Sequence, residues 1–136
     1  QDEGGSAMKK NGMLNRELAG IFGKLGHTDQ IVIADCGLPV PDGTTCIDLS
    51  YKIGEPGFLP VVEAVLEDVE VEQVVIAEEM EENNQSLHTW INKRFEDIQV
   101  VSHEDLKERT KSAKVIIRTG EATPYANIIL QSGVIF

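Results

Sequence analysis

The chain has 136 residues, of which 41% are hydrophobic and 26% are charged, a size and composition typical of one globular domain with a buried core. Its net charge of −11 argues against a nucleic-acid or an anionic-membrane partner, because either would need a basic surface. Its two cysteines give neither a disulfide framework nor a CxxC metal motif, and no apolar run approaches the ~20 residues of a membrane span. We therefore expect a reduced, cytoplasmic protein that does not span a membrane.

The first residues are predicted to lie outside the fold. Residues 1–7 resemble a cloning remnant and are expected to be disordered, with the natural chain beginning at Met8 and no signal peptide before it. Residues 8–136 are expected to form a single domain, since they contain no repeat, linker or low-complexity tract.

The first half of the chain predicts two helices and two strands. Apolar residues at the spacing of one helical face predict the first helix: Leu14, Leu18, Ile21, Phe22 and Leu25. Gly26 suits the left-handed position that commonly ends a helix. A buried strand is predicted over residues 31–34, a second strand over 44–49, and a helix from Pro60, in its first turn, to about Val69.

The second half continues the alternation of strands and helices. Strands are predicted over 71–77, 98–101 and 115–117, and helices over 86–95 and from the S-x-x-D pattern at Ser102 to about Lys111. Residues 127–130 and 134–136 could pair around Ser132-Gly133 and add an antiparallel edge. This order predicts an α/β fold, a three-layer α/β/α sandwich with a mostly parallel mixed sheet.

A histidine and an aspartate flank the first predicted strand. Asp35 follows it, and ligand sites of open α/β sheets lie beyond the carboxyl ends of their strands. His27 precedes it and could shuttle protons at neutral pH beside the fixed acceptor Asp35. Alternatively, His27 is a loop residue beside a helix end and Asp35 caps the next turn. Because four extended residues cover roughly 13 Å, the two side chains meet one ligand only if the loops fold back or a neighbouring subunit shares the site.

Other polar candidates lie near the ends of later strands. His103 lies in the first turn of its predicted helix, and Lys107 follows on the same helical face, so one ligand could meet both; the alternative is a solvated helix start. His88 lies in a polar amphipathic helix and is assigned no function. Tyr125 and Asn127 lie in a polar loop after the strand at 115–117, and they offer groups typical of sugar binding and also of turns.

Motifs for cofactors and metals are missing from the sequence. Gly20, Gly23 and Gly26 precede a strand instead of following one, the reverse of the dinucleotide-binding order. There is no Walker lysine motif, G-x-S-x-G elbow or H-E-x-x-H. Acidic runs at 67–70 and 78–82 are expected to be solvated surface. We therefore expect a site of histidine, carboxylate, hydroxyl and amide groups, with no metal and no cofactor.

Several separate motifs, in the same order, resemble the RbsD branch of the RbsD/FucU sugar-mutarotase family. They are MKKNGMLN at 8–15, GHTD at 26–29, IADCGLPVP at 33–41, the segment from RTGE to NIIL at 118–130, and the terminal GVIF. The GLPVP loop differs from the fucose-mutarotase branch, which shares the Gly-His motif and a similar ending. The resemblance spans residues 8–136.

The resemblance implies a fold, an assembly and an activity. The fold is a three-layer α/β domain, the assembly a homodecamer of two pentamers with sites between neighbouring subunits, and the activity the cofactor-free interconversion of the pyranose and furanose forms of β-D-ribose. It further implies that His27 is the proton donor. The substrate-binding residues that it implies are Asp35, His103, Tyr125 and Asn127, with Lys107 a weaker assignment.

The implied chemistry agrees with the residues present. Ring opening needs one group to take the anomeric proton and another to protonate the ring oxygen, and a histidine near its pKa suits both directions. Two alternatives stay open: a mutarotase acting mainly on another sugar such as L-fucose, and a non-catalytic ribose-binding protein.

Overall fold

A computed structural model describes residues 15–133 of the chain. The helices are α1 (Arg16–Phe22), α2 (Phe58–Asp68), α3 (Met80–Asn83), α4 (Gln85–Arg94) and α5 (His103–Arg109), followed by a 3₁₀ turn at Thr110–Ser112. The strands are β1 (Gln30–Ala34), β2 (Cys46–Asp48), β3 (Val71–Ala77), β4 (Ile98–Val101), β5 (Val115–Arg118) and β6 (Ile128–Ser132). The expected cloning remnant, the expected start at Met8 and the strand expected at 134–136 lie outside the described residues.

The six strands form one mixed sheet in the order β2-β5-β1-β6-β3-β4. β1, β2 and β5 are parallel to one another, β3 is parallel to β4, and β6 runs antiparallel to both of its neighbours, β1 and β3. Five strands therefore end at the same edge of the sheet, and only β6 runs the other way. This confirms the predicted mostly parallel mixed sheet.

Helices cover both faces of the sheet. Alternate residues of β1 point to opposite faces, so Ile31 and Ile33 belong to the larger apolar cluster while Val32 and Ala34 belong to the smaller one. The larger cluster packs against α1, α2 and α4, and the smaller one packs against α5 through Leu106. Continuous apolar runs indicate strands that are buried on both faces, and this double burial produces the three-layer α/β/α sandwich.

The expectation that the last strand would lie at a sheet edge is wrong. β6 lies in the middle of the sheet, between β1 and β3, and includes Ser132, which had been expected in a turn. Its Ile128, Ile129 and Leu130 are all 0% exposed. A strand that is apolar on both faces is buried best between two others, and the hydrophobic effect therefore favours the central position.

Two helix predictions need correction. α1 ends at Phe22 with Gly23 as its cap, not at Gly26; the apolar pattern continues because Leu25 still packs against the core after the helix has ended. The region before α4 contains the short helix α3, which the sequence did not predict. Pro60 lies in the first turn of α2 as predicted, and the helix begins at Phe58. None of the helices in the described part of the chain is long and apolar enough to cross a membrane.

Candidate active site

A polar pocket lies at the edge of the sheet where the parallel strands end. Its volume is about 290 Å³, and its lining includes Asp35, His103, Tyr125 and Asn127. Asp35 directly follows β1, His103 begins α5 just after β4, and the other two lie between β5 and β6. Four of the residues predicted from the sequence are therefore brought together, although they come from three separate segments of the chain.

Asp35 is held from two directions. Its backbone N–H donates to Asn127 Oδ1 at 2.9 Å, and its own Oδ1 accepts from the backbone N–H of Gly37 at 3.0 Å. The second bond is the turn-capping interaction that was the alternative interpretation of Asp35. The Asp35 side chain therefore caps the turn and also lines the pocket. Burial raises the pKa of the Asp35 carboxyl above its ordinary value, and backbone N–H groups, first that of Gly37, partly offset this effect.

Asn127 links the two halves of the pocket. It is only 1% exposed, and it lies immediately before β6. The bond that its oxygen accepts from Asp35 fixes which end of the amide carries the oxygen and leaves the NH₂ group on the other side. A buried amide with a fixed orientation can discriminate between donor and acceptor groups of a ligand.

His103 and Tyr125 form one wall of the pocket. Their rings meet edge to face, with centroids 5.1 Å apart and an angle of 81° between the ring planes. The backbone N–H of His103 donates to Glu79 Oε1 at 2.9 Å, and Ser102 caps the helix as the sequence predicted. Within residues 15–133, His103 Nδ1 is buried and has no hydrogen-bond partner. Buried polar atoms normally have partners, so this nitrogen is a candidate to contact a ligand.

Tyr125 has an unusual backbone conformation. Its φ is +57°, in the left-handed region that non-glycine residues seldom adopt. Such conformations cost free energy and are concentrated at functional sites. The backbone of the loop therefore directs the Tyr125 ring toward His103 at an energetic cost.

Lys107 is not among the described residues that line the pocket. Its Nζ pairs with Glu104 Oε2 at 2.9 Å, one turn away on α5. The structure brings His103 into the pocket without Lys107, and a role for Lys107 in binding stays a prediction.

His27 lies at the other end of β1. It precedes the strand and Asp35 follows it, so five extended residues, or about 16 Å of strand, separate the two. His27 Nε2 is 2.8 Å from Glu72 Oε1, and the His27 side chain is 52% exposed. A single chain thus does not bring His27 to the Asp35 pocket, which leaves the shared-subunit arrangement as the way in which both could meet one ligand.

Sequence reasoning missed two carboxylates that hold the histidines, Glu72 and Glu79. Glu79 lies in an acidic run that was expected to be solvated surface. Glu72 is the second residue of β3, before the buried apolar residues of that strand. The only local signal was the placement of each acid beside a strand terminus. Within residues 15–133, His, Cys, Asp and Glu side chains do not form a group of three that could hold a metal ion.

Comparison with known protein families gives one match over almost the whole chain. The RbsD / FucU transport protein family matches residues 8–135. Among individual proteins, a D-ribose pyranase from an Exiguobacterium species is 56% identical over 129 residues, covering 95% of this chain and 100% of the relative.

Solved structures of similar proteins agree with the fold. The Bacillus subtilis RbsD structure, complexed with D-ribose, has a TM-score of 0.91 and 52% identity, and the match covers 95% of this chain and 100% of that one. FucU from Bifidobacterium longum has a TM-score of 0.71 and 25% identity, with 89% of this chain and 94% of that one covered.

Proposed function

The chain belongs to the RbsD/FucU family, and from this premise we propose that it is a D-ribose pyranase, an isomerase that interconverts the pyranose and furanose forms of β-D-ribose. Identity of 56% to a D-ribose pyranase over that relative's full length supports this activity. The observation within the structure that carries it is the pocket in which Asp35, His103, Tyr125 and Asn127 converge. Its hydroxyl, amide, imidazole and carboxylate groups can donate hydrogen bonds to the hydroxyl groups of a sugar and accept hydrogen bonds from them.

The reaction needs proton transfer and positioning. The anomeric hydroxyl gives up its proton, the bond between C1 and the ring oxygen breaks, and the ring oxygen takes a proton, which yields the open-chain aldehyde. Closure through a different hydroxyl reverses these transfers. General acid–base catalysis accelerates reactions by about 10²–10⁴-fold. Together with positioning of the open-chain sugar for ring closure, this is adequate for a reaction that already proceeds unaided in water.

The residues have separate roles in this proposal. His27 is the general acid and base, since an imidazole can give and take a proton near neutral pH. The four pocket residues bind the sugar: Asp35, His103, Tyr125 and Asn127. Lys107 is included because the family resemblance implies it. It is a weaker candidate, because its charge is paired with Glu104 on the same helix and it does not line the pocket. No cofactor takes part.

Two copies of the chain form each site in this proposal. His27 and Asp35 lie at opposite ends of β1, so a histidine from one subunit reaches the pocket of its neighbour. The assembly is a homodecamer of two pentamers, as the family resemblance implies. The two free thiols, Cys36 and Cys46, suit the reducing cytoplasm, where we place the protein.

The decisive experiment measures exchange between ribose ring forms by NMR saturation transfer. We expect the wild-type protein to accelerate exchange, His27→Ala to lose most of the acceleration, and His88→Ala to keep it. His88 is a matched control because it is a histidine outside the pocket, and its ring contacts Asn92 on the same helix, α4. Unchanged exchange with wild-type protein would contradict the proposal, and calorimetric binding of ribose would then favour a binding protein. Faster exchange of L-fucose than of ribose would indicate a different preferred sugar.

A further inference from the structure

We propose that Glu72 is a positioning residue for His27, and that it directs His27 Nδ1, and not Nε2, toward the sugar. This inference rests on the proposed function, because it assigns the atom through which His27 exchanges protons. The carboxylate acts through the imidazole and is not itself assigned a contact with the substrate.

The first support is the contact itself. Glu72 Oε1 lies 2.8 Å from His27 Nε2, a hydrogen bond between residues 45 positions apart in sequence. The other carboxylate oxygen, Oε2, accepts from Gln131 Nε2 at 2.6 Å. Both oxygens of Glu72 are therefore engaged, and the carboxylate is held between β6 and the loop that carries His27.

The second support is the irregular pairing of β3 with β6. Val71 pairs with Ser132 and Gln73 pairs with Gln131, so two steps on β3 correspond to one step on β6. Glu72 is the extra residue of this β-bulge. Bulges turn a side chain away from the regular alternation and occur often beside active sites. Here the bulge brings Glu72 to His27 and to Gln131.

The third support is the rigidity of the loop that holds His27. Thr28 has a φ of +74°, which is strained for a β-branched residue, and its N–H donates to the Ser132 carbonyl at 3.0 Å. The Ser132 hydroxyl donates to the Gly26 carbonyl at 2.5 Å. Asp29 closes the loop, because its Oδ2 accepts from the Gly26 N–H at 2.8 Å. The histidine backbone is thus fixed to the end of β6 that also carries Gln131.

The hydrogen-bonding chemistry then assigns the nitrogen. Hydrogen bonds from Gln131 and His27 lower the pKa of the Glu72 carboxyl, so this group is ionised at neutral pH. An ionised carboxylate only accepts hydrogen bonds. His27 Nε2 must therefore carry a proton in both the neutral and the charged ring, and Nδ1 holds the lone pair while the ring is neutral. When Nδ1 takes the anomeric proton the ring becomes an imidazolium, and its Nε2 still donates to the Glu72 carboxylate.

The alternative is an ordinary surface ion pair. The two side chains are 52% and 36% exposed, and exposed pairs contribute little to stability. Stability therefore does not separate the two interpretations, whereas catalysis and the protonation pattern of the ring do. The bulge and the second hydrogen bond of Glu72 favour the positioning role.

The test compares Glu72→Gln and Glu72→Ala with Glu70→Gln. Glu70→Gln is a matched control because it removes the same charge from an exposed residue two positions earlier. We expect both Glu72 variants to slow ribose exchange at least tenfold, which is part of the roughly 10²–10⁴-fold acceleration that general acid–base catalysis supplies. The ribose dissociation constant should stay within twofold of wild type. Glu70→Gln should retain wild-type exchange.

A spectroscopic measurement distinguishes positioning from a general structural effect. The chain has three histidines, so selective ¹⁵N-histidine labelling resolves the His27 nitrogens. We expect a protonated Nε2 in wild type and a mixture of both neutral forms in Glu72→Ala. Exchange within twofold of wild type in both Glu72 variants, or an unprotonated Nε2 in wild type, would overturn the inference. If wild-type protein does not accelerate exchange, the proposed function fails, and the nitrogen shifts still decide whether Glu72 orients His27.

Discussion

The backbone N–H of Asp35 donates a hydrogen bond to Asn127 Oδ1, and this bond at 2.9 Å joins residues 92 positions apart. It fastens the loop that follows β1 to the residue that precedes β6. Two of the proposed sugar-binding residues are therefore oriented by each other before any ligand arrives. Such preorganisation reduces the entropy that binding must overcome.

This relationship predicts the effect of Asn127→Ala. The change leaves the Asp35 N–H without its partner in a position where Asn127 is 1% exposed, and an unpaired buried donor costs about 1–3 kcal/mol. We expect the free energy of unfolding in urea to fall by that amount and calorimetry to show weaker ribose binding. Full stability together with wild-type affinity would show that the bond does not orient the pocket.

Asp35→Asn should stabilise the protein at neutral pH while weakening its function. The pKa of Asp35 is raised in the folded protein, chiefly by burial, so the folded state binds a proton more readily than the unfolded state. Stability contributed by the protonated form is then lost as pH rises from the unfolded value of 3.8 through the raised folded value. An amide cannot ionise and still accepts from the Gly37 N–H.

Urea unfolding of wild type and Asp35→Asn across pH 3–8 checks this sign. We expect the variant to gain stability relative to wild type as pH rises through this window, and to show slower ribose exchange. A variant that instead loses stability relative to wild type toward neutral pH would contradict it, since that result belongs to a carboxyl with a lowered pKa.

Gly120 permits the close approach on which the pocket loop depends. A Cβ atom at this position would lie 2.6 Å from backbone atoms of Glu55 and Lys52. Gly120→Ala must therefore move the backbone, and we expect a loss of about 2 kcal/mol in the free energy of unfolding. Because Tyr125 and Asn127 lie in the same loop, ribose affinity should fall too.

Gly20→Ala is the matched control for this substitution. Gly20 lies within α1 with nothing within 4 Å of an added Cβ, and alanine favours a helix by about 0.8–1 kcal/mol over glycine. It should therefore raise stability and leave ribose affinity unchanged. Equal effects of the two substitutions would exclude the close approach at Gly120 as the cause.

Thr28→Gly tests whether strain is stored beside His27. Threonine at a φ of +74° costs on the order of 1–2 kcal/mol, and glycine removes this cost while making the unfolded chain more flexible by roughly 0.4–1 kcal/mol. We expect a small net gain in stability from urea unfolding, together with slower exchange, since the loop that orients His27 becomes freer. Gly43→Ala, at a φ of +84° with open space around it, should show the reverse change in stability.

Local patterns were sufficient to predict much of the fold. The apolar runs of β1 and β3 predicted buried strands, because a strand that is buried on both faces has consecutive apolar residues. β3 has the predicted bounds. The start of α5 was also predicted, since the hydrogen bond from the Asp105 N–H to Ser102 Oγ involves residues three positions apart. Capping of this kind depends only on neighbours in sequence.

The features that the sequence did not reveal are non-local. The central position of β6 depends on pairing with both β1 and β3, and the contact between His27 and Glu72 depends on a bulge in one of those pairings. Local patterns do not determine which strands become neighbours. A polar residue at the start of a strand, such as Glu72, is therefore predicted to be exposed when its partner lies on another strand or loop. The structure brings four of the candidate residues into one pocket, whereas the distance of His27 from them follows from the length of β1.

The separation of His27 from Asp35 along β1 predicts complementation between inactive subunits. If neighbouring subunits share each site, His27→Ala and Asp35→Asn subunits should both be inactive alone and partly active together. In a random mixture about one quarter of the interfaces would pair an intact His27 with an intact Asp35, as expected for a head-to-tail interface. Co-expression with two different affinity tags, tandem purification and the ribose exchange assay would measure this recovery. Inactive mixed assemblies would contradict a shared site and would require the loops of a single chain to bring His27 to its own pocket, against the length of the strand that separates them.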